Sequence, residues 1–194
     1  MEHETWRCFV GVPVAPRLRT DLETAMRAWQ ARTDVPDLRW TDPDAWHVTL
    51  AFLGATDPSV VPDLVNALGV VADGTDAFPL LTGGVGAFPR PGAAQAIWYG
   101  MADPDHRLTD LAARVQAAVL PPGPPARFRP HLTLARSRVP RGEPLGPWLA
   151  TLEPPSGTFV VDALTLFRSQ LGGGPARYEV LASLPLRGAG SGHG

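Results

Sequence analysis

The chain has 194 residues, 44% of them hydrophobic and 19% charged, and a net charge of −2; it fits one domain or two small lobes sharing a core, without the basic excess that coats long nucleic acid. A single cysteine, Cys8, excludes an intramolecular disulfide and argues against a cysteine metal site. All 17 basic residues are arginine, which excludes a GxxxxGK[ST] phosphate loop and any mechanism built on a covalent lysine adduct, nucleotide-activating ligation included.

Residues 5–12 (TWRCFVGV) read as a strand ended by Pro13 and Pro16. Pro16 can open a helix to about Arg32, with Leu18, Leu22, Ala25, Met26 and Trp29 at three-to-four spacing. A short strand near Leu38–Thr41 leads through Asp42-Pro43-Asp44 into a strand over 46–53 that Gly54 ends. A helix is expected over 58–72, strands over 77–87 and 94–101, and a helix from Asp103-Pro104 to about Leu120. PPGPPARFRP is a stiff connector, followed by a strand over 131–137. Residues 139–157 read as loop with one helical turn near Trp148. Strands 158–168 and 176–186 form a hairpin through Leu171–Pro175, and 187–194 read as a disordered tail after a single domain over 1–186. Several neighbouring strands lie too close for helical crossovers, which favours α+β with antiparallel sheets.

One phrase is written twice. His47-Val48-Thr49-Leu50-Ala51 returns as His131-Leu132-Thr133-Leu134-Ala135, 84 positions later. With the loosely recurring element order, this predicts two similar lobes about a pseudo-twofold axis. By strict strand alternation His47, Thr49 and Ala51 share one face, and Val48, Leu50 and Phe52 the other. Likewise His131, Thr133 and Ala135 oppose Leu132 and Leu134. One isolated H-x-T is weak, usually a satisfied polar residue near a sheet edge. Finding Thr, Leu and Ala at the right offsets after a second histidine is expected by chance in roughly a few cases per thousand.

Two such strands facing one cleft would present two imidazoles and two hydroxyls to one ligand. Histidine titrates near neutrality, so one ring can take a proton while the other gives one. Acid and base on opposite sides of a phosphorus atom suit in-line displacement by water, with the threonine hydroxyls donating to the non-bridging oxygens. This chemistry needs no metal or cofactor, and no HExxH or Cys/His cluster is present. Asp42 and Asp44 read as turn formers rather than ligands.

Paired H-x-T motifs at this separation resemble the 2H phosphoesterases, specifically the bacterial RNA 2′,3′-cyclic phosphodiesterases once named 2′-5′ RNA ligases. RCFVGVPV, LRWTDPDAWHVTLAFLG, GGVGAFPRPGAAQAIWYGM, FRPHLTLARS and FVVDALTLFRSQL…ARYEVLASLPL extend the resemblance over roughly residues 5–186. It implies a bilobal α+β fold, each lobe with an antiparallel sheet and flanking helices, and an active-site cleft between them. It also implies hydrolysis of a terminal 2′,3′-cyclic phosphate to a 2′-phosphate, with His47 as proton donor, His131 as acceptor, and Thr49 and Thr133 as phosphate ligands. Arg136 is implied as a phosphate ligand, although strict alternation points it away from His131 unless the strand twists or ends there. Phe52 holds the matching place in the first copy, where a nucleobase contact competes with core packing. Arg127, Arg129, Arg136, Arg138 and Arg141 form either a phosphate funnel or a solvated loop flank. Phe88 and Phe128 read as structural, His3, His106 and His193 as surface residues, and the six tryptophans as core or cleft wall.

The expected partners are RNA 3′ ends or small nucleotides carrying a 2′,3′-cyclic phosphate. With no signal peptide and no 18-residue apolar run, the sequence predicts a cytoplasmic protein without a membrane span, working as a monomer. A non-catalytic nucleotide-binding module on the same scaffold is the competing reading. End joining could run only by reversing the phosphodiester chemistry.

Overall fold

A computed structural model describes residues 4–123, 128–170 and 176–189. Thirteen elements follow in order: β1 (Trp6–Pro13), α1 (Pro16–Gln30), β2 (Leu38–Trp40), β3 (His47–Thr56), α2 (Val61–Asp73), β4 (Phe78–Phe88), β5 (Ala96–Ala102), α3 (Arg107–Val119), β6 (His131–Ser137), α4 (Gly146–Leu149), β7 (Thr158–Val161), β8 (Ala163–Gln170) and β9 (Arg177–Pro185). Each expected helix and strand has a counterpart, with boundaries moved where local chemistry dictates. Thus α3 starts at Arg107 rather than near 103, because the Asp103 carboxylate accepts from the backbone N–H groups of Leu108 and Thr109 and holds the preceding residues as a turn.

The strands form one curled antiparallel ladder in the order β7-β4-β5-β6-β3-β1-β8-β9, with β2 alongside β6. The fold is α+β, as expected, but the lobes share this ladder instead of carrying separate sheets. The eight strands of this order divide four and four at a central seam between the two motif strands, β6 and β3. There β3 and β6 pair through Val48 opposite Leu132. Both side chains are buried, at 1% and 0% exposure. The aliphatic half of each repeated phrase thus closes the core where the lobes meet.

Two expectations about strands are corrected. The strand expected over 158–168 is broken at Asp162. Its first part, β7, pairs with β4 at one end of the ladder, and its second part, β8, pairs with β1 in the other lobe. The chain crosses between lobes at this break, and β8 then forms the expected hairpin with β9. Gly54 does not end β3. It adopts φ +70° at a register shift against β1, and the strand continues to Thr56.

The helices cover the core face: α1 buries Leu18, Leu22, Met26 and Trp29, and α3 packs on α2 and β3. Arg187, at the start of the expected tail, donates to Asp76 (2.6 Å) and joins it in a bridge. The Leu171–Pro175 turn and residues 190–194 of the tail lie outside the described residues.

Candidate active site

The repeated phrase encodes a bulged strand, and the bulge decides which side chains reach the site. In β3 the register against β1 slips by one residue at Leu50, between the pairs Gly11↔Thr49 and Val10↔Ala51. In β6 the register against β5 slips at the corresponding Leu134, between Trp98↔Thr133 and Ile97↔Ala135. A one-residue bulge inverts the alternation beyond it. Leu50 and Ala51 are therefore both buried (2% and 4% exposed), as are Leu134 and Ala135 (both 0%). The next residue in each copy, Phe52 and Arg136, turns out to the histidine face. Strict alternation had placed Phe52 with the core; it is 73% exposed, which removes the packing reading. Ala51 and Ala135 are corrected in the opposite sense, from the histidine face to the core.

The carbonyl of each bulged leucine accepts a hydrogen bond from outside the bulged strand pair. The Leu50 carbonyl accepts from Gln116 Nε2 (2.9 Å) on α3. The Leu134 carbonyl accepts from the Thr41 backbone N–H (2.8 Å).

Antiparallel pairing of Val48 with Leu132 sets the rest of the site. His47 and Thr49 flank Val48, and His131 and Thr133 flank Leu132, all four on the face opposite the core. The register puts Thr133 across from His47 and Thr49 across from His131. The histidines lie on the diagonal of this two-by-two array, at a backbone separation of about 7–8 Å. Imidazoles on that diagonal can lean toward a common point between them.

Both rings are held in the same way. Nδ1 of His47 donates to the Ala45 carbonyl (2.8 Å), and Nδ1 of His131 to the Arg129 carbonyl (2.6 Å), each two residues upstream. A carbonyl can only accept, so Nδ1 carries the hydrogen in both rings and Nε2 is left for a ligand. The surroundings differ. His47 lies among Phe9 (ring centroids 4.5 Å), Phe167 (5.7 Å) and the edge-on ring of Tyr178 (5.0 Å). Burial there pushes its pKa down to about 4; the hydrogen bond to Ala45 opposes the shift and the nearby His131 adds to it. His131 meets one aromatic edge, Phe88, at 4.9 Å. It opens on a cavity of about 320 Å³ that Thr133, Arg136, Gln95 and Phe88 also line. A second cavity of about 290 Å³ opens on the His47 side, bounded by Arg19, Asp44, Thr165 and Tyr178.

The remaining candidates sort themselves around this array. Arg136 lines the His131 cavity. The guanidinium of Arg129 lies over Phe88 at 5.8 Å. Arg138 is paired with Asp37 (3.0 Å), and Arg141 is exposed. Arg127, His3 and His193 lie outside the described residues. Phe128 packs on the core and His106 is exposed. Asp42 caps its turn by accepting from the Asp44 backbone N–H (3.0 Å), and the Asp44 carboxylate ties that turn to Arg19 on α1 (3.0 Å). The aromatic wall of Phe9, Phe167 and Tyr178, and the strut Gln116, carry no mark in the sequence.

Two copies of one bulged H-x-T strand, joined at the seam of a curled antiparallel sheet, define a 2H phosphoesterase. A model of the 2′-5′ RNA ligase superfamily matches residues 14–173, and the chain belongs to that family. The protein named RNA 2′,3′-cyclic phosphodiesterase in Thermus thermophilus is 32% identical over 94% of this chain and 91% of its own length. One of the same name in Geobacillus stearothermophilus is 31% identical over 93% of this chain, which spans only 57% of that longer relative. The crystal structure of E. coli LigT complexed with 3′-AMP superposes with a TM-score of 0.74 at 25% identity, covering 94% of this chain and 99% of LigT.

Proposed function

We propose that the protein is an RNA 2′,3′-cyclic 3′-phosphodiesterase that opens a terminal 2′,3′-cyclic phosphate to a 2′-phosphomonoester. The observation that carries this is the two-by-two array of His47, Thr133, His131 and Thr49, with Nε2 of both rings unengaged by the backbone. In the reaction, Nε2 of His131 takes a proton from water as its oxygen attacks phosphorus. The 3′ P–O bond breaks, and Nε2 of His47 delivers a proton to the departing 3′ oxygen. The product keeps the phosphate on the 2′ oxygen and gains a 3′ hydroxyl. Solvent then returns a proton to His47 and removes one from His131. The Thr49 and Thr133 hydroxyls donate to the non-bridging oxygens, where charge develops, and the exposed Arg136 in the His131 cavity supplies positive charge for the phosphate backbone of the RNA. Phe52 offers an exposed ring on which a nucleobase can stack. A 5′-hydroxyl standing where water attacks yields a 2′-5′ linkage as a minor product. No step calls on a metal.

Relatives that bear the phosphodiesterase name along most of this chain support the reaction class. The test is incubation with a 2′,3′-cyclic nucleotide in EDTA, the product being identified by phosphorus NMR against 2′- and 3′-phosphate standards. The 2′-phosphate alone is expected. The 3′-phosphate would reverse the assignment of the broken bond, and unchanged substrate at every pH would favour the binding module. Replacing either His47 or His131 with Ala is expected to lower the rate about 10²–10⁴-fold, and the double replacement far less than the product of the two.

A further inference from the structure

The strand β2 has three residues, and its ladder partner is β6. Its register sets Leu38 opposite Ser137, Arg39 opposite Arg136 and Trp40 opposite Ala135. Directly opposed residues of an antiparallel pair share a face. Leu38 is buried, so Arg39 projects from the other side, beside Arg136 and on the histidine face; both arginines are exposed. Like charges in directly opposed positions repel and destabilise the pair. Nothing among the described residues offsets this. Among the described residues, neither guanidinium has an ion-pair partner, and the nearby acids are engaged elsewhere. Asp37 holds Arg138 (3.0 Å), Glu143 accepts from Ser137 Oγ (2.6 Å) and Asp42 accepts from the Asp44 backbone N–H (3.0 Å). On the other flank of Arg136 the opposed residue is Ala96, small enough to leave the approach open. The Leu134 bulge takes up one residue between Thr133 and Arg136, so the arginine row lies about two strand rises, roughly 7 Å, from the phosphate-facing threonine. That offset is on the scale of one nucleotide step.

We propose that Arg39 and Arg136 form a second anion subsite, which takes the phosphodiester immediately upstream of the cyclic end. The inference rests on the reading that the histidine pair holds the terminal phosphate, and it makes an oligonucleotide end the preferred substrate over a mononucleotide. Two guanidinium forks side by side suit the non-bridging oxygens of one phosphodiester, and the bound anion relieves their repulsion.

The test compares three substrates: adenosine 2′,3′-cyclic phosphate, the diadenosine ending in the same group, and that diadenosine with an uncharged methylphosphonate linkage. The expected kcat/KM is about tenfold higher for the phosphodiester-linked dinucleotide than for the mononucleotide, with the gain lost in the methylphosphonate. Arg39→Gln is expected to abolish this dinucleotide-to-mononucleotide ratio, and Arg39→Lys to restore part of it. A ratio unchanged by Arg39→Gln, or equal turnover of the charged and uncharged linkages, overturns the subsite.

A parallel binding measurement uses the diadenosine 2′-phosphate product with either linkage. The slope of log Kd against log salt for the charged form should flatten by about 0.7 in Arg39→Gln. An identical slope contradicts the proposal. If the wild-type protein turns over none of the substrates, the catalytic reading fails on its own, and the binding slopes still decide the subsite.

Discussion

At the scale of single residues, the two histidines are locked into one tautomer by the same device and then placed in unlike surroundings. His47 sits among Phe9, Phe167 and Tyr178 with a pKa near 4, so it is neutral at pH 7 in the unliganded protein. A proton donor must carry its proton when the 3′ oxygen departs. A phosphate anion against Nε2 favours the charged ring and raises its pKa, so ligand binding should draw a proton from solution. Calorimetry of adenosine 2′-phosphate binding at pH 7, in buffers of different ionisation enthalpy, should register net proton uptake that Phe-for-His replacement at 47 removes. Equal enthalpies in all buffers would tell against the donor role. Phe52 yields a second residue-scale expectation. Its side chain is 73% exposed, so Phe52→Ala should shift stability by less than about 0.5 kcal/mol while raising KM for a base-bearing substrate. A large loss of Tm with unchanged KM would return it to a packing role. The histidines and threonines were legible because a five-residue phrase repeats. The aromatic wall was not, because Phe9, Phe167 and Tyr178 come from three strands that meet only through ladder registers set by the whole sheet.

At the scale of elements, the strand with its bulge is what the repeat encodes. Most strands and helices could be read from apolar spacing and from Pro and Gly punctuation. Alternation alone then assigned Phe52 to the core and pointed Arg136 away from the site. Both assignments fail for one reason, an extra residue at Leu50 and at Leu134 that no composition signal announces. The break at Asp162 was hidden similarly: the apolar pattern runs through it while the chain changes partners from β4 to β1. At the bulge in β3 the Gln116 amide donates to the Leu50 carbonyl. Gln116→Leu would leave that carbonyl unpaired, at a cost of about 1–3 kcal/mol, and should lower activity beyond what the loss of stability explains. Urea unfolding together with kcat/KM measures both. Unaltered stability and turnover would show that the bulge stands without its strut. Gly11, opposite Thr49, is a second support. A methyl group there would lie 2.9 Å from the Val48 carbonyl oxygen and 3.3 Å from Cδ2 of His47. Gly11→Ala should therefore displace the ring and reduce turnover.

At the scale of the whole molecule, the two halves of the sheet meet where the two motifs meet, so assembling the core and assembling the site are one event. This couples stability to the charge on His47. The folded protein binds a proton at this ring only below about pH 4, whereas the unfolded chain does so near 6.5. Between those values the unfolded state holds more protons, so stability contributed by this group is full above about pH 6.5 and falls as the solution is acidified towards pH 4. The loss is on the order of 3 kcal/mol for this one group. Unfolding free energies at pH 7 and pH 4.5 should diverge less in His47→Gln than in the wild type; equal differences would mean that the ring is not buried as described. In the proposed reaction both imidazoles and both threonine hydroxyls serve one phosphorus atom. A crystal structure with adenosine 2′-phosphate bound tests it most directly. A single phosphate within hydrogen-bond distance of Nε2 of His47 and His131 and of the hydroxyls of Thr49 and Thr133 is the predicted result; a phosphate that reaches only one of the two rings would contradict it.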